Sequence, residues 1–386
     1  MIPPVFFLFA ALHPRLIIHL IVRNHISAIN KPGPVHAADA KEGNNRAYFD
    51  DCCKRLVKGT RVFLDTTEFV SANFDIHNPA FQEFCRLCEI GELRLLSTEI
   101  TRREIKAHID GFATYAHRLL QEVSKVIHTL PKAEAEAVKT IAHKLKASVL
   151  SDGLLKDSEE FFKKCNAVNL VIPPKATQHV LNLYFDRKPP FGGGNKKDEF
   201  PDAFVLQALQ ESARRHAGSL FAVSDDGDFK AACHGQPDLV YVKSLAFLLN
   251  CFHARDASVK RVRATIEENF KLIEEELKRI LESLPAELEG RGGTAQLNTI
   301  RLDDILDILV VAYGKTTASA QFVCSVEVDA LLEFIDSANA YPDFRSVHRM
   351  EVVSITLDFQ FDPKDVQVFS VKTYWAPMAL TFGPSG

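Results

Sequence analysis

The apolar residues in the middle of this chain fall into short runs that alternate with helical stripes. Residues 62–65 (Val-Phe-Leu-Asp) read as a short buried strand closed by an acid. Residues 79–90 place Phe81, Phe84, Leu87 and Cys88 at helical spacing, and Gly91 ends that helix. A second strand is expected over 93–96. Helix follows from about Thr98 to about Cys165, with breaks near Pro131 and at Ser151-Asp152-Gly153. Within it, residues 107–185 read as a helical insertion. Residues 187–197 hold three consecutive glycines between prolines and lysines, the composition of a flexible loop. A helix over 202–216, a strand over 220–224, a short helix over 229–233 and a strand over 239–242 complete the series. Short β runs alternating with helices predict an α/β fold with a mainly parallel sheet.

Beyond residue 256 the pattern changes. Residues 257–288 read as one amphipathic helix, with Ile266, Phe270, Ile273, Leu277, Ile280 and Leu281 on one stripe. Residues 289–293 read as a linker. Over 351–361, Val353, Ile355, Leu357, Phe359 and Phe361 alternate with polar residues, as in a half-buried strand. With a further strand over 322–328, this predicts a small, strand-rich α+β domain over 294–386. At the other end, the apolar runs 5–11 and 16–22 are interrupted by Pro14, Arg15 and His19. Both fall short of the roughly 20 residues a spanning helix needs. Residues 1–58 are therefore expected to be a non-core extension, a weak membrane or export signal being the lesser alternative. The expected division is 1–58, an α/β domain over 59–250, a connecting helix over 257–288, and 294–386.

The length of 386 residues fits two or three such units. A formal net charge of -4 excludes a protein that simply coats nucleic acid, so contact with a polyanion must be local or metal-mediated. Eight cysteines without disulfide-like spacing point to free thiols in a reducing, cytoplasmic setting.

The candidate chemistry lies in the acids. Asp65 closes the first strand, and Asp225, Asp226 and Asp228 follow the third. Ligand sites of open parallel sheets form outside the carboxyl ends of the strands. Asp198, Glu199 and Asp202 cluster between the glycine loop and a helix start, and Glu104 lies in Thr101-Arg102-Arg103-Glu104-Ile105. Several acids converging at one sheet end repel one another unless a cation neutralises them, and hard oxygen ligands suit Mg2+ or Mn2+. Each acid also has a plainer reading. Asp65 with Thr66 fits a turn or cap. Glu104 fits a capping box with Thr101, unless helix begins at Ser97 or Thr98, in which case it is free to face the sheet. Asp202 after Pro201 fits ordinary helix-start chemistry, and Asp228 fits a cap for the helix at Phe229. Arg102, Arg103, Lys196 and Lys197 are the cations placed to meet phosphates, a solvated basic face being the alternative. Cys85-x-x-Cys88 reads as core thiols, because no second ligand pair accompanies it. The chain contains no G-x-x-x-x-G-K-[ST] loop, no G-x-G-x-x-G after the first strand and no G-x-S-x-G elbow.

Taken in order, these motifs resemble the PIN-domain nucleases. Phe63-Leu64-Asp65-Thr66-Thr67-Glu68-Phe69 is similar to their opening strand motif, with Thr67 where Asn is common. Leu95-Leu96-Ser97 followed by Glu104, Pro201-Asp202-Ala203, and Val223-Ser224-Asp225-Asp226-Gly227-Asp228-Phe229 resemble their second, third and fourth acidic segments. The likeness covers about residues 61–245. The long insertion and the wording Lys196-Lys197-Asp198-Glu199-Phe200-Pro201-Asp202-Ala203 resemble a bacterial subgroup. The resemblance implies a Rossmann-like three-layer fold. It implies Asp65, Glu104, Asp202 and Asp226 as catalytic and metal-binding acids, with Asp228 auxiliary; the clustering of residues adds Asp198, Glu199 and Asp225 as further candidate acids. It also implies metal-dependent cleavage of nucleic acid, single-stranded RNA above all, by a toxin or defence effector. A structure-specific DNA nuclease and a non-catalytic module that binds metal or nucleic acid are the competing readings. The C-terminal domain is expected to bind a protein partner or a second copy, and no membrane contact is expected.

Overall fold

The computed structural model describes residues 42–125, 139, 146–191, 199–254, 256–284, 286–288, 293–314, 316–334, 343–361, 368–375 and 380–382. A helix, α1 (Glu42–Arg55), leads into strand β1 (Thr60–Leu64), whose five residues are all buried. Helices α2 (Thr66–Ser71) and α3 (Pro79–Glu89) follow. Asn78 caps α3 by accepting from the Phe81 N–H at 3.0 Å, and Gly91, at φ 75°, turns the chain out of it in a region where only glycine is at ease. Strand β2 (Leu93–Thr98) runs directly into α4 (Glu99–Lys125). The Thr98 hydroxyl accepts from the Thr101 N–H at 3.1 Å and so caps this helix. That start puts Glu104 in the second turn and settles its placement against the capping-box alternative.

Next come α5 (Ala147–Lys164), β3 (Val168–Leu170), α6 (Ala176–Phe185), α7 (Phe200–Arg215), β4 (Leu220–Val223), α8 (Gly227–Cys233), β5 (Leu239–Val242) and α9 (Leu245–His253). The five strands form one parallel sheet in the order β3-β2-β1-β4-β5. The stretch 107–185, read as a helical insertion, therefore contains the edge strand β3, and the break expected at Ser151-Asp152-Gly153 lies inside the continuous helix α5. At three residues, with Val168 and Leu170 only partly buried and Asn169 exposed, its alternation is too short to read.

Side chains on successive strand residues point to opposite faces and build two cores. Val62, Leu64, Phe221 and Val223 face the layer of α3, α4, α5 and α9, whereas Phe63, Leu220 and Ala222 face α7 and α8. The result is a three-layer α/β/α domain. An aromatic cluster fixes α2 directly behind Asp65. Its Phe69 ring lies 5.1 Å from Phe81 and 5.6 Å from Phe162, and Phe81 lies 5.3 Å from Phe161. On the opposite layer, buried Arg61 in β1 donates to the carbonyls of Ser212 at 2.8 Å, His216 at 3.2 Å and Gly218 at 2.8 Å, which anchors the end of α7 to the sheet.

The remainder forms a second sheet. The single helix expected over 257–288 is instead α10 (Ala257–Glu268) and α11 (Phe270–Glu282), separated at Asn269, followed by strand β6 (Ala286–Leu288). Both helices turn Ile266, Ile273, Leu277, Ile280 and Leu281 of the expected stripe to the same core, whereas Phe270, expected on that stripe, is 38% exposed. Four long strands, β7 (Gly293–Tyr313), β8 (Thr317–Phe334), β9 (Asp343–Phe361) and β10 (Val368–Trp375), make an antiparallel sheet in the order β10-β9-β8-β7. A short β11 (Leu380–Phe382) pairs with β6. Val262, Ile266, Ile273 and Leu277 pack on Phe322, Val326, Ile355 and Leu357. Leu309 and Val311 of β7 belong to the first domain's core, and the Asn250 side chain of α9 accepts from the Val310 N–H at 3.3 Å. Among the described residues, no helix is long and apolar enough to cross a membrane.

Candidate metal centre at the carboxyl end of the parallel sheet

Strand order reverses between β1 and β4, and the connections leaving those two strands diverge to open a crevice at their carboxyl ends. Asp65 is the first residue past β1. Its N–H donates to the Val223 carbonyl at 2.9 Å, which carries the β1–β4 ladder one residue further and holds the acid at the sheet edge. Asp65 occupies the N-cap position of α2, yet its carboxylate makes no capping bond. One oxygen, Oδ2, accepts instead from the hydroxyls of Thr67 and Ser224, both at 2.8 Å. The Ser224 hydroxyl in turn accepts from the Asp226 N–H at 3.1 Å, so one side chain sets both acids. Glu104 reaches in from α4 and accepts from the Thr66 hydroxyl at 3.1 Å. Asp202 enters from the first turn of α7, with Glu199 at the N-cap position of that helix.

Carboxylate oxygens of Glu199, Asp202 and Asp226 lie within 4.8 Å of one another. Ligands on opposite sides of a hard divalent ion bound at about 2.1 Å lie about 4.2 Å apart. Three carboxylates this close therefore fit one such ion with little adjustment, and the all-oxygen donor set favours Mg2+-like over thiophilic metals.

The electrostatics report the same crowding. Burial, and then Asp65, Glu104, Asp226 and Glu199, push the Asp202 carboxyl up to about 8. The Asp65 carboxyl, 6% exposed, is raised by burial against the hydrogen bonds from Ser224 and Thr67, with Asp226 adding to the rise. Burial also raises Glu104, with Asp65 adding to it. Asp225 is raised by burial and by Asp226, and lowered by Lys243. A cation amid these groups would relieve both burial and repulsion.

Three further side chains stand here that the sequence pattern did not single out. Glu68 is buried one helical turn past Asp65, accepts from the Leu245 N–H at 2.9 Å, and is pushed up to about 8 by burial, Asp225 and Asp65. His108 lies one turn past Glu104 on the same face of α4, and burial lowers its pKa against the pull of Asp65. Tyr241 of β5 is held in its phenol form by burial and by Asp225, Asp226 and Glu68. Spacing of three or four residues from a candidate acid was the available signal for Glu68 and His108. Tyr241 had none, since only the sheet brings it near.

The other candidates stand apart from this cluster or outside the described residues. Asp228 lies in α8, with only its backbone described. Asp198, Lys196 and Lys197 lie outside the described residues. The Arg103 guanidinium pairs with Glu99 at 2.8 Å, and that of Arg102 lies 4.3 Å over the Phe162 ring.

Comparison with known proteins gives one match. Residues 62–229 fit the family model described as PIN domain. The matched span runs from β1 to α8 and so contains all the acids above and none of the second sheet. No curated protein and no solved structure matches the chain.

Proposed function

We propose that this chain, whose residues 62–229 are a PIN domain, is a divalent-metal-dependent endonuclease that hydrolyses phosphodiester bonds of single-stranded RNA. PIN domains are generally nucleases. The observation that carries the reading here is the three-carboxylate cluster of Glu199, Asp202 and Asp226 beside Asp65 and Glu104 at the switch point of the sheet. Glu199, Asp202 and Asp226 would hold Mg2+ or Mn2+, with Asp228 contributing from α8. When bound, the ion supplies Lewis-acid activation and stabilises the charge that develops on the phosphate.

The chain's own groups do the rest. Asp65, locked by Ser224 and Thr67, presents an oriented acceptor that can position an attacking water for in-line displacement. Glu104 shares that end of the crevice through Thr66. Asp202 must be ionised to serve as a ligand and is pushed up to about 8 while the site lacks a cation, so metal binding would release its proton and the affinity for Mn2+ should rise with pH below that value. Lys196 and Lys197 belong to this proposal as backbone contacts, which position a strand without reading its sequence. Arg102 and Arg103 can join them only by giving up their present contacts with Phe162 and Glu99. Eight free thiols suit a reducing cytoplasm.

The test is cleavage of matched fluorescent single-stranded RNA and DNA with Mn2+, Mg2+ or chelator, by wild type and by Asp65→Asn and Asp226→Asn. The proposal requires metal-dependent cutting of RNA that both substitutions lower by at least about 100-fold. Cutting of DNA alone would select the DNA-nuclease reading. Metal binding without turnover on either strand would point to a binding module.

A further inference from the structure

We propose that the open half of β9 is a dimerisation edge, pairing antiparallel with the same strand of a second copy about a two-fold axis at His348. Strand β10 pairs β9 only from Thr356 to Phe361, whereas β8 pairs it along its whole length from Asp343 to Gln360. On its other side, β9 from Asp343 to Ile355 thus meets no described strand. An edge this long presents a row of unpaired N–H and C=O groups, and native proteins usually shorten, bulge or cover such edges. The register here runs from Asp343 to Gln360 against β8 without a shift, so no bulge turns this edge away.

The side chains along the edge argue for self-pairing. In antiparallel pairing about residue 348, positions equally far before and after it face each other, and both members of a pair lie on the same sheet face. This sets Arg345 opposite Glu351 of the second copy, twice per dimer. Glu351 also holds Arg349 of its own strand at 2.6 Å, so each carboxylate would lie between two guanidinium groups. The same pairing sets Phe344 opposite Val352 and Ser346 opposite Met350. Phe344, Met350 and Val352 are 56%, 53% and 47% exposed, and pairing gathers them with their symmetry mates into one apolar face. The two His348 rings meet at the axis, and each already has its own carboxylate, Asp329 at 2.7 Å. Neighbouring registers are worse. An axis at Arg349 sets that guanidinium against its own copy. An axis at Met350 sets Arg345 against Ile355, which is fully buried, and Val352 against His348. The strand is thus self-complementary in charge and apolarity about one residue, as an isologous contact requires.

The test uses full-length protein and two charge reversals, Arg345→Glu and Glu351→Arg, each checked for a native circular dichroism spectrum. Wild type is expected to be a dimer by sedimentation velocity and native mass spectrometry. Each reversal alone sets like charges opposite one another at two places and should raise the dimer dissociation constant at least about tenfold. Mixing the two variants restores opposite charges only across the interface. The Glu introduced in one chain then faces the Arg introduced in the other, and the unchanged Glu351 of the first faces the unchanged Arg345 of the second. The mixture should therefore form heterodimers, and the double variant should dimerise by itself. A wild type that stays monomeric at its solubility limit, reversals that leave association unchanged, or a mixture that fails to associate would each overturn the proposal.

Discussion

Removing one candidate metal ligand should make the metal-free protein more stable. In the unfolded chain an Asp titrates near about 3.9, whereas burial and four neighbouring acids push Asp202 up to about 8 in the fold. The folded carboxyl thus holds its proton more tightly than the unfolded one. Its contribution to stability is complete below the unfolded value and is lost as pH rises toward about 8. At about 1.4 kcal/mol per pH unit, the gap amounts to about 5–6 kcal/mol at most. Partial exposure and local relaxation bring a realistic figure to about 2–3 kcal/mol. Asp202→Asn keeps the shape and removes the charge at every pH. In chelator at pH 8 it should raise stability by about 2–3 kcal/mol, a melting shift of about 4–12 °C for a domain of this size. At pH 5 the wild-type carboxyl is largely protonated in the fold and only the unfolded chain's ionisation counts against it, so the advantage should shrink to about 1.5 kcal/mol or less. Adding Mn2+ at about 1,000 times the dissociation constant should reverse the ranking, since the wild type then gains about 4.1 kcal/mol and the variant gains little. Thermal melts of both proteins at the two pH values, with chelator and with Mn2+, give the answer. A variant that melts at or below the wild-type temperature at pH 8 in chelator would refute the reasoning, as would an equal advantage at pH 5.

Two other substitutions probe the support of the site. Ser224→Ala removes the hydroxyl that donates to Asp65 and accepts from the Asp226 N–H. It should lower kcat by about tenfold to 100-fold while changing stability by about 1–2 kcal/mol, checked by single-turnover cleavage beside urea melts. At Glu68, Gln keeps an acceptor for the Leu245 N–H and removes a charge that the fold resists, so Glu68→Gln should be neutral or stabilising at pH 8. Glu68→Ala loses the acceptor, leaves a small void and should cost about 2–3 kcal/mol in the same urea melts. Equal melting of the two variants would show that the hydrogen bond is unimportant.

How much of this was legible in the sequence follows from what each element had to announce. β1, β2, β4 and β5 are short apolar runs bounded by helices, and the alternation that marks a parallel sheet was open to reading. β3 was not, because a single apolar-polar-apolar step at a half-exposed edge is too short to show a period. The stripe over 257–288 named the buried face except at Phe270, which is exposed beside the break, and it hid the interruption at Asn269 because the other apolar positions keep their period across it. Of the second sheet, only the segments with buried alternation stood out. Its strands extend well beyond those segments, where the buried positions include small Ala318, Ala320 and Ala330 and the apolar residues Phe344 and Met350 are exposed, so the alternation is weaker. Asp65, Glu104, Asp202 and Asp226 were suspected because they sit at strand ends and helix starts, and the fold does place them at one sheet end. The bonds that orient them come from Thr66, Thr67 and Ser224, whose small hydroxyls also suit turns and caps.

Helix α9 gives the second sheet a physical connection to the acidic crevice. Its first N–H is taken by Glu68, which lies against Asp65 and Asp225, and its middle is held by Asn250 against β7. At its far end, His253 pairs with Glu83 of α3 at 3.2 Å and packs edge-on to Tyr313 of β7, whose hydroxyl donates to Asp256. One nine-residue helix therefore spans from the acid cluster to the antiparallel sheet, with each end fixed by buried or half-buried polar contacts. Close-packed interiors transmit displacement poorly by bending and well by rigid shifts of whole elements. A force on β7, such as an ordering of the sheet through β9, would reach Glu68 as a movement of α9 along its axis. Such a shift would act on both bonds that hold α9, the Leu245 N–H to Glu68 at 2.9 Å and the Val310 N–H to Asn250 at 3.3 Å.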